Sequence, residues 1–170
     1  MRGEAERDYI AYVQARMDWL RRLAYRLCGD WSRAEDLVQD CLVALYRHWH
    51  RAASAETPDA YVRTILLRAY LGERQRSWLR RVRTTADPPD VVAVSDSGTD
   101  GRLDLRAALA RLSPGQRAVL VLRYWEDLDV AQTAHVLGCS TGTVKSQTAY
   151  AVAALRRLLP NYVQGRREEP

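Results

Sequence analysis

VAQTAHVLGCSTGTVKSQTAYAVAALRRLL, residues 130–159, decides the fold of this chain. Asp129 can cap a helix at its start, Gln132 completes a capping box, and Ala131, Ala134 and Leu137 supply an inward apolar stripe. Gly138 ends that helix, since glycine takes the left-handed conformation at little cost, and Ser140 recaps the chain at once. Two helices so joined meet at a sharp angle, with the small Ala134 where they cross. In the second helix Val144, Ala151, Leu155, Leu158 and Leu159 recur at helical spacing and face inward, leaving Thr141, Thr143, Lys145, Ser146, Gln147 and Tyr150 largely outward. A cation, an amide and several hydroxyls near the start of an inserted helix are the mixture that reading base edges in a DNA major groove needs. An ordinary pair of packed helices joined by a glycine turn would also fit this stretch taken alone, and the rest of the chain weighs against it.

The full chain has 170 residues, 47% of them hydrophobic, which suits one or two small domains with real cores. No apolar run approaches membrane-spanning length, and the N-terminal MRGEAERDY lacks the apolar stretch of a secretory signal, so a cytoplasmic protein with no membrane insertion is expected. Cys28, Cys41 and Cys139 lie far apart without the paired spacing that suits zinc. They are expected as small core residues, and no metal or cofactor is expected.

Net charge is +5, and its distribution says more than its total. Residues 1–83 carry sixteen basic and eleven acidic side chains, residues 84–104 one and five, and residues 105–170 nine and five. Two basic blocks thus flank an acidic link, which suits two separate contacts with a nucleic-acid backbone. Solvated charge that only keeps the protein soluble is the plainer alternative. Lys145 is the single lysine among 26 basic residues.

The break falls within TTADPPDVVAVSDSGTDGRLD, where Pro88, Pro89, Gly98 and Gly101 make a helix improbable. Residues 84–104 are therefore expected as an extended linker between two helical domains, 1–83 and 105–161, with 162–170 a polar tail. In the first domain Ile10, Val13, Met17, Leu20, Leu23 and Leu27 give an amphipathic helix ending at Gly29. Ser32 with Glu35 forms an expected capping box for a second helix, striped by Leu37, Val38, Cys41, Leu42, Leu45 and Trp49. Thr57 and Pro58 start a third, with Val62, Ile65, Leu66 and Ala69 inward, running towards Arg83. The second domain opens at Asp104 and restarts at Ser113-Pro114, with Gln116 closing another capping box. No strand-length alternation stands out, so the fold class is all-α, two small helical domains with the helix-turn-helix in the C-terminal one.

Two further surfaces carry chemistry. The third helix ends in GERQRSWLRRVR, where Arg74, Arg76, Arg80, Arg81 and Arg83 surround Trp78, with Tyr61 and Tyr70 on the same helix. Aromatic faces beside arginines suit unstacked bases and a single-stranded backbone. The second helix contributes AEDLVQD, putting Asp36, Gln39 and Asp40 on one polar surface opposite Leu37 and Cys41. Metal binding or acid–base catalysis is rejected for these acids, because no histidine falls at ligand spacing and no pocket-forming glycine loop accompanies them. His48 and His50 flank Trp49 as polar residues at a helix end. An acidic face is better explained as a docking surface for a basic helix of a partner. No catalytic residue is assigned, and the protein is not expected to be an enzyme.

Four segments in order, GDWSRAEDLVQDCLVALYRHW, PDAYVRTILLRAYL with the arginine run, LSPGQRAVLVLRYWEDLDVAQTAHVLGCSTGTVKSQ, and AVAALRRLL, resemble the extracytoplasmic function (ECF) class of bacterial sigma factors in the sigma-70 family, the short two-domain actinobacterial type. The resemblance implies a promoter-specificity factor that binds core RNA polymerase and directs transcription initiation. It implies that Asp36, Gln39 and Asp40 grip the coiled coil of the largest polymerase subunit, and that the flap of the second-largest subunit is a further contact. Tyr61, Tyr70, Arg74, Arg76, Trp78, Arg80 and Arg81 would recognise the minus-ten element of promoter DNA and hold the melted strand, with the loop 50–57 helping to pocket a flipped base. Thr141, Thr143, Lys145, Ser146, Gln147, Ala149 and Tyr150 would face the minus-thirty-five major groove, supported by residues 117–125, and the linker would thread towards the RNA exit path. An anti-sigma protein is a partner of many members. Gln147 and Tyr150 stand where the class often has arginine, which lowers the expected phosphate grip and shifts base preference, and Arg68 stands where the subgroup often has asparagine, which bears on the details of minus-ten reading.

A stand-alone operator-binding regulator is the alternative, but it leaves the N-terminal domain unexplained, since no receiver-like fold forms without strands. A sigma-like protein that only sequesters polymerase is a third reading, opposed by the intact basic and aromatic side chains of the third helix.

Overall fold

The computed structural model describes the backbone of residues 2–84 and 100–159, with side chains for 3–72 and 104–159. Among these residues the elements are helical throughout, without a strand. The N-terminal unit holds α1 (Arg2–Cys28), α2 (Trp31–Arg47), the short α3 (Trp49–Ala53) and α4 (Pro58–Thr84). The C-terminal unit holds α5 (Asp100–Ala110), α6 (Pro114–Leu120), a π-helical turn (Val121–Trp125), α7 (Val130–Leu137) and α8 (Thr141–Leu158).

Gly29, at φ +72°, ends α1 as expected, and its N–H donates to Tyr25 O at 2.7 Å. The capping of α2 differs from the sequence expectation. Asp30 rather than Ser32 is the cap, its Oδ1 accepting the Arg33 N–H at 2.9 Å, because the left-handed turn at Gly29 lets the helix begin at Trp31 and leaves Ser32 already inside it. Glu35 is then free to pair with Arg21 of α1, at 3.0 Å. Likewise, Trp49 does not close the stripe of α2 but opens α3, so part of the expected loop 50–57 is a helical turn.

The N-terminal core interleaves Leu20, Leu23 and Leu27 of α1 with Leu37, Val38, Cys41 and Leu45 of α2 and Val62, Leu66 and Leu67 of α4, all nearly inaccessible. Each leucine and valine among them contributes roughly 1.5–3 kcal/mol of transfer free energy. Ile10, expected on the inward stripe of α1, is 46% exposed. Helix α4 is also tied polar-wise: Asp59 pairs with Arg16, and the Arg63 guanidinium stacks over the Trp19 ring at 5.5 Å.

In the C-terminal unit the second core gathers Leu109, Leu112, Leu120 and Ala151, flanked by Leu105, Val152, Ala154 and Leu155. Helix α5 begins at Asp100, earlier than the expected Asp104, while residues 85–99 of the expected linker, 160–161 and the whole expected tail 162–170 lie outside the described residues. Ser113 and Gln116 form the expected capping box at α6. Val121 and Leu122, fully buried, are carried straight on from α6 by the π-helical turn. The chain then reverses at Asp127, φ +53°, where Arg123 Nη1 donates to Leu128 O at 2.6 Å.

Candidate nucleic-acid interface

The helix-turn-helix forms from local chemistry at each joint. Asp129 and Gln132 close their box at the head of α7, Gly138 turns the chain at φ +65°, and Ser140 Oγ accepts the Thr143 N–H at 3.1 Å to start α8. A Cβ at Gly138 would meet nothing within 4 Å, so glycine is needed there for its backbone conformation and not for space. Val144 and Ala151, both 0% exposed, seat α8 in the core. Around them Thr141, Thr143, Lys145, Ser146, Ala149 and Tyr150 are exposed, and Gln147 is half-buried. Two hydroxyls of the row are already engaged. Ser146 donates back to Gly142 O and Thr143 O at 3.0 and 3.1 Å, and Thr143 Oγ1 lies 2.9 Å from Ser140 Oγ. Lys145 Nζ, the Gln147 amide and the exposed hydroxyls of Thr141 and Tyr150 therefore remain as the row's donors.

Sequence reasoning missed what surrounds Lys145. A groove of about 390 Å³ along α8 is lined by Val130, Ala149 and Val152 together with Arg123, Lys145 and Arg156. Lys145, Ala149, Val152 and Arg156 follow one helical row, a spacing readable in the sequence; the arrival of Arg123 from the preceding turn is not.

On α2, Asp36, Gln39 and Asp40 are exposed together as expected. The same face continues through Val43 and Tyr46, 53% and 57% exposed, at the next helical intervals. On α4 Tyr61 is half-buried. Tyr70 requires a correction: at 1% exposure its ring belongs to the core, one turn beyond Leu66 and two beyond Val62, and is not available to stack on a base. Arg74, Arg76, Trp78, Arg80 and Arg81 fall on the last turns of α4, but their side chains lie outside the described ones.

Of the cysteines, Cys28 and Cys41 are core residues, and burial pushes the Cys41 thiol up to about 12. Cys139, in the turn between α7 and α8, is half-exposed, contrary to the expectation of a core position. Among the described residues no cluster of His, Cys, Asp and Glu could hold a metal, and no helix is long and apolar enough to cross a membrane.

An exposed polar row on the second helix of a helix-turn-helix, in a chain whose other helical unit carries an exposed acidic helix face, defines the class as a two-unit helix-turn-helix protein. Family models described as "Sigma-70 region 2" and "Sigma-70, region 4" match residues 12–84 and 102–155. An RNA polymerase sigma-E factor of Streptomyces avermitilis is 38% identical over 152 residues, covering 89% of this chain and 85% of its own. The ECF RNA polymerase sigma factor SigL of Mycobacterium tuberculosis is 36% identical over 150 residues, 82% of each chain. The solved sigma factor RpoE of Bartonella quintana, in complex with the anti-sigma factor NepR, superposes with a TM-score of 0.73 at 25% identity, over 91% of this chain and 98% of that one. The chain belongs to the ECF sigma factors of the sigma-70 family: it is an RNA polymerase specificity subunit, a transcription initiation factor and not an enzyme.

Proposed function

We propose a division of this sigma factor's work among three surfaces of its own residues. Thr141, Thr143, Lys145, Ser146, Gln147, Ala149 and Tyr150 of α8 read the minus-thirty-five major groove. Asp36, Gln39 and Asp40 of α2 grip the coiled coil of the largest polymerase subunit, and the C-terminal unit meets the flap of the second-largest. Tyr61 with Arg74, Arg76, Trp78, Arg80 and Arg81 of α4, and the segment 50–57, capture the minus-ten element as it opens. The observation that carries this reading is the exposed polar row of α8, held outward by the burial of Val144 beneath it. Opening then needs no nucleotide hydrolysis, since base capture and backbone charge on one strand offset the cost of unpairing. The corresponding working units are 1–83 and 105–161, with 84–104 threading towards the RNA exit path and 162–170 a tail.

A cytoplasmic site of action goes with this reading, and an anti-sigma protein is a further proposed partner on the likeness to RpoE, solved with one. Reconstitution with core polymerase followed by run-off transcription, from the promoter upstream of its own gene and from a promoter library, tests the whole. Promoter-specific transcripts that require the protein are expected; folded protein that binds core but selects no promoter would overturn it.

A further inference from the structure

Segment 50–57 is exposed along most of its length, with Ala52 its buried residue. Left to itself such a connection would sample many conformations, yet both of its ends are fastened to one helix. At the near end the Trp49 ring packs edge-on to Tyr9 of α1 at 5.5 Å and tilted against Tyr12 at 5.3 Å. At the far end Asp59, in the first turn of α4, accepts the Tyr12 hydroxyl at 2.7 Å and Arg16 Nε at 3.0 Å on the same Oδ1 atom. Tyr12 therefore touches both ends at once, its ring on Trp49 and its hydroxyl on Asp59. The frame around it is stiff, because Tyr9 donates to Leu42 O at 3.0 Å and so locks α1 to the last turns of α2.

We propose that Tyr12 is a positioning residue for promoter opening: by bridging Trp49 and Asp59 it fixes the span of segment 50–57, and with it the place where an unstacked base is received. The proposal rests on the reading of that segment as part of the minus-ten pocket. Fixing the ends of a short connection removes most of its conformational freedom before the ligand arrives, and a pocket for a flipped base works only when its walls are already in place. Burial, and then the Asp59 carboxylate, push the Tyr12 phenol far above its ordinary value, so the bridge keeps its proton throughout the pH range of transcription. Arg16 Nε donates to the same Oδ1 at 3.0 Å, a charge-assisted bond that holds the carboxylate in place for Tyr12.

Tyr12→Phe keeps the ring against Trp49 and removes only the bond to Asp59. In holoenzyme carrying Y12F, opening of a duplex promoter, followed by 2-aminopurine placed in the minus-ten element, is expected to slow by about tenfold, the order expected for one hydrogen bond to a charged acceptor. Core affinity should be unchanged, and initiation from a template already unpaired across that element should return to the wild-type level. A purely structural role would instead lower core affinity and thermal stability and would not be rescued by the unpaired template; that pattern, or unaltered opening, overturns the proposal. Arg51, Ser54 and Glu56 changed together to alanine separate the two levels. If these changes slow opening while Y12F does not, the positioning role fails alone; if neither slows it, the reading of the segment fails as well.

Discussion

Asp129 and Gln132 bond each other twice: the Asp129 N–H donates to Gln132 Oε1 at 2.9 Å, and the Gln132 N–H donates to Asp129 Oδ1 at 2.7 Å. This reciprocal pair satisfies two of the donors that a helix start leaves open, at α7, the first helix of the helix-turn-helix. Asp129→Ala should cost about 1 kcal/mol of stability in that unit. Gln132→Ala made on top of it should add less than it does alone, because the two bonds share one geometry. Urea melts of the four proteins in the cycle measure this, and strict additivity would show that the two bonds act independently.

Lys145 is the cation of the α8 row and also lines the groove with Arg123 and Arg156. Lys145→Ala should weaken binding to a minus-thirty-five duplex, lower the slope of log affinity against log salt by about one, and leave core association intact. An unchanged salt slope would remove it from the set of phosphate or base contacts.

Asp36 and Gln39 stand exposed on the outer face of α2. The double change Asp36→Ala with Gln39→Ala should leave helix content and melting unchanged, since neither side chain enters the core, while core-polymerase affinity falls by tenfold or more, on the order of 1.4 kcal/mol. Wild-type affinity in a pull-down titration would count against the docking assignment.

Tyr70 is a core residue, so Tyr70→Ala should lower global stability by about 3–5 kcal/mol, as truncation of a buried aromatic does. Loss of DNA capture should track the unfolded fraction. A variant that melts like the parent but fails to hold the open strand would restore the base-stacking role that the sequence implied.

The three thiols should separate by access. At neutral pH Cys139 should react readily with an aromatic disulfide reagent, and Cys28 and Cys41 only on unfolding. Cys41 is raised from an ordinary 9.0 to about 12 by burial, so the folded chain retains a proton that the unfolded chain releases. Its contribution is fully present below about pH 9 and declines as the pH climbs towards 12, by up to about 1.4 kcal/mol per unit. Urea melts at pH 8 and 10 should show that slope, and Cys41→Val should lessen it.

Most of the helix-turn-helix was legible because its signals are local: a cap, a glycine and a second cap each act on the few residues beside them. The same kind of signal misled at α2, where the Ser32 and Glu35 spacing falls within the first turn of a helix that Asp30 already caps. Tyr70 was misread for a different reason. Its spacing from Val62 and Leu66 marked it as inward, and the neighbouring arginines drew attention to its chemistry instead. The break before Trp49 was out of reach of any spacing rule, because what accompanies it is packing against Tyr9 and Tyr12, residues far away in the chain. The π-helical turn was equally hidden: VLRYW contains no breaker, and its form goes with the burial of Val121 and Leu122. The outer face of α2 needed only periodicity, and Val43 and Tyr46 could have been added to it from the sequence.

Val144 and Lys145 are consecutive, and one is fully buried while the other stands in solvent. Neighbouring positions on a helix differ by about 100° in direction, so a slip of α8 by one residue would drive the lysine's charge into the space the valine fills. Few packing errors are penalised so steeply. The hydrophobic core of this small unit thus works as a reading-frame lock: under the proposed role of the outer row, any base it reads is presented to one fixed set of side chains.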